Sequence, residues 1–132
     1  MQEVLKFLTD NAPFYISTIA GDKPKVRPFG FVMEHEDRLW FCTNNKKDVY
    51  RQLIANPSLE ISTTSPEGRW LRLKGKAVFN TTPVVKAKAL EINPRLKNMY
   101  SVEDQLFELF YIEEGEATFA SMRSGETKTI KF

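Results

Sequence analysis

Trp70-Leu71-Arg72-Leu73-Lys74-Gly75-Lys76-Ala77-Val78-Phe79 decides the fold class. In an extended chain Leu71, Leu73, Gly75, Ala77 and Phe79 fall on one side, and Trp70, Arg72, Lys74 and Lys76 on the other. A period of two with one apolar face is the mark of a half-buried strand. The same signal recurs outward in both directions. Leu59, Ile61 and Thr63 alternate before the turn Ser65-Pro66-Glu67-Gly68. Leu39 to Thr43, Lys25 to Met33 and Phe14 to Ala20 read as further strands, separated by Glu34-His35-Glu36-Asp37 and Gly21-Asp22-Lys23-Pro24. Downstream, Leu106 to Ile112, Ala117 to Met122 and Thr127 to Phe132 read as strands, with Glu113-Glu114-Gly115-Glu116 as a turn.

Helical spacing is confined to three short pieces. Residues 2–11 place Val4, Leu5 and Leu8 on one side and end at Pro13. Asn44-Asn45 offers a cap for a helix carrying Val49, Leu53 and Ile54, stopped by Asn56-Pro57. Thr82-Pro83 pairs a cap with proline at the first helical position, and Pro94 cuts that helix after Ile92. Many short strands with few helices predict a mainly β barrel or sandwich. The 132 residues form one domain, 1–132, with no repeat or linker. No G-x-G-x-x-G stretch points to a dinucleotide-binding Rossmann sheet.

Composition narrows the function. Nineteen basic against seventeen acidic residues leave a net charge of +2, which argues against a general nucleic-acid binder. A single cysteine, Cys42, excludes an internal disulfide and fits a reducing compartment. The first residues show no secretory leader, and no stretch reaches the roughly 20 apolar residues of a membrane helix. A cytoplasmic location is therefore expected, without membrane partners.

The chemistry concentrates in Phe41-Cys42-Thr43-Asn44-Asn45-Lys46-Lys47-Asp48-Val49, where a strand hands over to a helix. A helix start presents unpaired N–H groups and partial positive charge. Lys46 and Lys47 are unfavourable there for the helix alone; a bound phosphate reverses that penalty. The plain alternative is a capped helix with two solvated lysines. In Lys25-Val26-Arg27-Pro28-Phe29-Gly30, Arg27 can grip a phosphate, Pro28 marks an edge or a break, Phe29 can line a flat ring, and Gly30 suggests close approach. The alternative here is an edge strand with an exposed arginine.

Taken in order, these segments, with Leu53-Ile54-Ala55-Asn56-Pro57 and Trp70-Leu71-Arg72-Leu73-Lys74-Gly75-Lys76-Ala77, resemble the FMN-binding split-barrel superfamily of pyridoxamine 5′-phosphate oxidase-like proteins, among them its small general-stress and nitroimidazole-resistance-like members. The resemblance implies a six-stranded split β-barrel that forms a homodimer with FMN in clefts between subunits. It implies that Arg27 and Lys47 contact the phosphate, with Lys46 and Asn45 beside them. Thr43 and the backbone around Cys42 would lie near the ribityl chain and ring. Pro28, Phe29 and Gly30 would border the isoalloxazine, and Trp70 and Arg72 would approach from the dimer cleft. The chain ends at Thr127-Lys128-Thr129-Ile130-Lys131-Phe132 without the substrate-binding segment of the oxidases proper, so vitamin B6 oxidase activity is not expected.

The resulting expectation is an FMN-dependent oxidoreductase that takes electrons from a reduced nicotinamide and passes them to a small organic acceptor. Its rival is a non-enzymatic flavin-binding module for storage or sensing. No metal site is expected: His35, the one histidine, sits in an acidic turn. The strip Arg72, Lys74, Lys76 reads as a solvated face or cleft wall, and Cys42 as a small buried hydrophobe.

Overall fold

A computed structural model describes residues 1–132. Helix α1 spans Gln2–Asp10, followed by β1 (Phe14–Ala20), β2 (Lys23–Phe29), β3 (Met33–His35), β4 (Arg38–Asn44), α2 (Asp48–Ala55), β5 (Ser58–Thr64) and β6 (Arg69–Phe79). Helix α3 (Pro83–Ile92) leads into a 3-10 turn (Pro94–Asn98), then β7 (Phe107–Ser121) and β8 (Thr127–Lys131). The mainly β, split-barrel architecture agrees with the sequence reading.

All strands join one antiparallel sheet in the order β2-β1-β5-β6-β7-β4-β3, with β8 on β7. Strand β7 is long enough to serve two neighbours along one edge. Its first half pairs with β4 (Asn44 opposite Phe107) and its second with β8 (Ala117 opposite Ile130). The sheet's two outer strands, β2 and β3, are consecutive in the chain and joined only by Gly30-Phe31-Val32. The chain thus steps from one edge of the sheet to the other, and that step is where the barrel is split.

Alternation places the apolar faces inside. On β6 Leu71, Leu73 and Ala77 are buried while Arg72, Lys74 and Lys76 are exposed. The interior collects Phe14, Ile16, Leu39, Phe41, Ile61, Phe110 and Phe119, closed at one end by Val4, Phe7 and Leu8 of α1. Phe41 stacks on Phe110 at 5.6 Å between centroids, and Phe79 meets Phe110 at 5.1 Å. A second core lies outside the barrel wall, where Trp40, Phe107, Leu109 and Tyr111 carry Val85, Ala89 and Leu90 of α3 and Leu96 of the 3-10 turn.

Four expectations are corrected. The sheet has eight strands rather than six. The strand read from Lys25 to Met33 divides into β2 and β3, because the chain changes sheet edge at residues 30–32. Glu113-Glu114-Gly115-Glu116 does not turn the chain back. Glu114 takes a positive φ of 55°, and the pairing with β6 shifts between Lys74 and Lys76, so the segment is a bulge inside β7. Gly75 lies at this shift, and a Cβ there would meet Glu113 O at 2.9 Å and Ile112 Cγ2 at 2.5 Å. Helix α2 begins after Lys47, and Asn45 does not cap it: its Nδ2 donates to Gln105 O (2.6 Å) and Glu108 Oε2 (2.9 Å).

Candidate functional site

The split leaves a cleft of about 340 Å³ with three walls. Arg27, Pro28, Phe29, Gly30 and Phe31 form the first, from the end of β2 and the step that follows. Cys42, Thr43, Lys47 and Val49 form the second, from β4 and the start of α2. Asn93, Leu96, Met99 and Tyr100 form the third, around the 3-10 turn. The cleft therefore gathers Arg27, Pro28, Phe29, Gly30, Cys42, Thr43 and Lys47 of the expected set.

Each wall has a local cause. β2 has only β1 as a neighbour, so Pro24 and Pro28 cost no ladder bond on its free edge. A Cβ at Gly30 would meet no atom within 4 Å, which leaves the floor of the cleft open to a ligand's approach. The third wall is held from behind. Asn93 Oδ1 accepts from Arg95 N (3.3 Å), Leu96 is buried in the outer core, and Lys86 of α3 donates to the carbonyls of Val102 (3.3 Å) and Asp104 (2.9 Å). Asp104 accepts from the backbone N–H groups of Ser101, Leu106 and Phe107. Burial opposes its ionisation, and those three bonds outweigh it, so its carboxyl lies below the usual range.

The electrostatics favour an anion. Arg27 is half-buried, and its guanidinium donates to Ile16 O (3.2 Å), Thr18 Oγ1 (2.7 Å) and Gln52 Oε1 (2.8 Å). All three are neutral acceptors. Burial pulls the guanidinium below its ordinary value, with Asp48 offsetting part of that. Asp48 itself is taken up by Arg51. Neither Arg27, Lys46 nor Lys47 makes an ion pair within the chain. Three bonds use three of the five guanidinium N–H groups and leave two free. Lys47 is the N-cap of α2 and supplies no side-chain bond to the helix amides, which stay available.

The lining also holds an orphan. Thr43 is 4% exposed, lines the cleft, and its Oγ1 has no hydrogen-bond partner. Such a group is costly to leave unmade, and a polar ligand atom would satisfy it. Cys42 is not a nucleophile here. Burial raises its thiol to about 12, with Lys47 opposing weakly.

The remaining expected residues lie elsewhere. Lys46 is exposed at the rim of the turn, and Asn45 faces Glu108. Trp70 and Arg72 stand on β6 opposite Thr64 and Ser62, away from the cleft of their own chain, with the Arg72 guanidinium 5.3 Å from the Trp70 ring. The whole third wall escaped the sequence reading. Asn93-Pro94, a polar cap followed by proline, was its one visible sign of renewed helical structure. No group of three or more His, Cys, Asp or Glu side chains could hold a metal, and no helix is long and apolar enough to cross a membrane.

The fold agrees with comparison to known proteins. A family model described as pyridoxamine 5′-phosphate oxidase matches residues 1–122, and the chain belongs to that family. A NimC/NimA family protein from Clostridium acetobutylicum is 43% identical, with a TM-score of 0.96 over 100% of this chain and 92% of that one. General Stress Protein 26 from Bacillus anthracis shares the fold at 17% identity and a TM-score of 0.73, over 98% of both chains. A pyridoxamine 5′-phosphate oxidase-related, FMN binding protein from Nostoc punctiforme does so at 15% identity and 0.68, over 90% of this chain and 85% of that one. A search of curated proteins finds no match.

Proposed function

We propose that the cleft binds FMN and that the protein is a dimeric flavin oxidoreductase. It would take electrons from a reduced nicotinamide and pass them to a small organic acceptor. The observation that carries this reading is the meeting of Arg27 and Lys47, neither neutralised by a carboxylate, with the unpartnered Thr43 hydroxyl beside a wall of Phe29, Gly30 and Phe31. The charged end suits a phosphate, the middle a polyol, and the glycine-opened aromatic end a flat ring. Membership of the pyridoxamine 5′-phosphate oxidase family and the likeness to an FMN binding protein support the same cofactor.

FMN, when bound, supplies the redox chemistry. The chain's own residues bind and orient. Two free Arg27 N–H groups and the Lys47 ammonium hold the phosphate. Thr43 offers its hydroxyl, and Phe29, itself against Phe110 at 6.4 Å, gives the ring a fixed edge. No side chain need act as nucleophile or base, consistent with the raised Cys42 thiol.

The dimer is part of the proposal. Cross-strand pairing sets Pro28, Tyr15, Ser62 and Arg72 in one row across β2, β1, β5 and β6, with Val26 and Trp70 on the same outer face. Tyr15 and Val26 are exposed there. A second copy seated on this face would carry its Trp70 and Arg72 towards the first copy's cleft. Analytical ultracentrifugation should give a dimer.

Purified protein should be yellow with a flavin spectrum, and a reduced nicotinamide should bleach it. Quinone and nitroaromatic acceptors should then reoxidise it. A protein that binds FMN but turns over neither class would be a flavin store or sensor. One that binds no flavin at all refutes the proposal.

A further inference from the structure

The third wall holds a hydroxyl hydrogen that nothing in the chain accepts. Tyr100 lines the cleft, half-buried, and its ring lies flat on buried Phe107 at 4.4 Å between centroids and 11° between planes. The stack leaves the hydroxyl little freedom to move. Its oxygen accepts from Asn44 Nδ2 at 3.2 Å. The orientation of that amide follows from a second bond, because the backbone N–H of Lys46 donates to Asn44 Oδ1 at 3.0 Å. A flipped amide would set two donors against each other. Asn44 therefore gives a hydrogen to Tyr100 and takes none from it, and the tyrosine's own hydrogen is left to point elsewhere.

We propose that Tyr100 contacts the ligand of the cleft, donating its hydroxyl hydrogen to an sp2 oxygen of a flat bound molecule, and that Asn44 is the residue that positions it. The inference rests on the flavin reading of the cleft. It adds a neutral donor on the third wall of the cleft that Arg27, Lys47 and Thr43 also line. A cleft with cations at one end and hydroxyl donors along it suits a ligand with an anionic tail and carbonyl-type oxygens. It is poorly suited to a hydrocarbon. The oxygen belongs either to the flavin ring or to an acceptor held against it, and the experiment separates the two.

Tyr100→Phe keeps the ring and its stack and removes only the hydroxyl. Asn44→Asp keeps the shape and still accepts from Lys46, but its second oxygen takes the tyrosine's hydrogen and turns it away from the cleft. FMN affinity is read by flavin fluorescence on the apoprotein. Affinity for menadione, a flat diketone, is read on the FMN-loaded protein by perturbation of its visible spectrum. Each single variant should weaken one of these ligands about five- to twentyfold, the loss of one hydrogen bond. A loss in the first titration assigns the oxygen to the flavin, and a loss in the second assigns it to the acceptor. Either result supports the inference. In the Tyr100→Phe background Asn44→Asp should do nothing more, because the bond it redirects is already gone.

The inference is overturned if both titrations stay within twofold of the unaltered protein. It is also overturned if Asn44→Asp acts equally with and without the tyrosine hydroxyl, which would mark a simple charge effect. Unaltered protein that takes up no FMN sinks the flavin reading and this inference together. FMN uptake with unresponsive variants sinks this inference alone.

Discussion

Arg27 and Lys47 should be unequal partners of a bound phosphate, and the structure says by how much. Arg27 is half-buried and fixed by Ile16, Thr18 and Gln52, so its guanidinium is held in place before any ligand arrives and keeps two N–H groups free. Charge-assisted bonds of this kind contribute about 1.5–3 kcal/mol each. Allowing for solvent at the cleft mouth, the pair should contribute roughly 2–4 kcal/mol, or about 30- to 700-fold in affinity. Lys47 is exposed, and an exposed charge pair contributes about 0.2–1 kcal/mol, at most about fivefold. Arg27→Ala and Lys47→Ala should therefore raise the FMN Kd by very different factors. Fluorescence titration of apoprotein at low and high salt measures both. Added salt should erase the Lys47 effect and leave most of the Arg27 effect, since the buried charge is screened less. Thermal unfolding of the apoproteins guards against a folding artefact. Equal losses from the two variants, or a loss under threefold for Arg27→Ala, would refute the reasoning.

Three further outcomes follow from the packing and the protonation states. Phe110 is fully buried and meets Phe29, Phe41 and Phe79, so Phe110→Ala should cost about 3–5 kcal/mol in urea unfolding; a cost below ~1 kcal/mol would show that the site collapses without a cavity. Cys42, with its thiol near 12, should react with iodoacetamide at pH 8 about a thousandfold more slowly in the folded protein than in urea, because almost none of it is thiolate; labelling at a free-thiol rate would show that the wall opens. Asp104 has a depressed carboxyl value, so its stabilisation is complete above the ordinary aspartate range near 4 and is lost as pH falls through the lower folded value. Protection of the Leu106 and Phe107 amides in hydrogen exchange should therefore fall at strongly acid pH. At neutral pH Asp104→Ala should lower it roughly tenfold, the equivalent of one lost bond of about 1.4 kcal/mol; unchanged protection in both cases would refute that role.

Local sequence was enough wherever one face of an element is buried and the other is wet. The alternation of Leu71, Leu73 and Ala77 with Arg72, Lys74 and Lys76 defined β6, and Thr82-Pro83 defined the start of α3, where the Thr82 side chain accepts from Val85 N. These are period and capping effects, set by residues within one turn or two strands' width. The polar and cationic lining of the cleft was visible for a similar reason: Arg27 lies near the end of β2, and Thr43 and Lys47 lie where β4 hands over to α2.

Tertiary structure alone decided what distant segments do to one another. Nothing local says that residues 30–32 carry the chain between opposite edges of the sheet, because that depends on which strands β2 and β3 find as neighbours. Glu114 could adopt a positive φ in a turn or in a bulge, and only its pairing with β6 chose the bulge. Asn45 has the chemistry of a helix cap, but Glu108 and Gln105, sixty residues on, compete for it and win. Above all, the wall around Leu96 and Tyr100 reaches the cleft because these two residues pack into the outer core with Trp40, Phe107 and Tyr111. Hydrophobic burial is non-directional, so a sequence shows which residues seek it and the assembled fold shows against what.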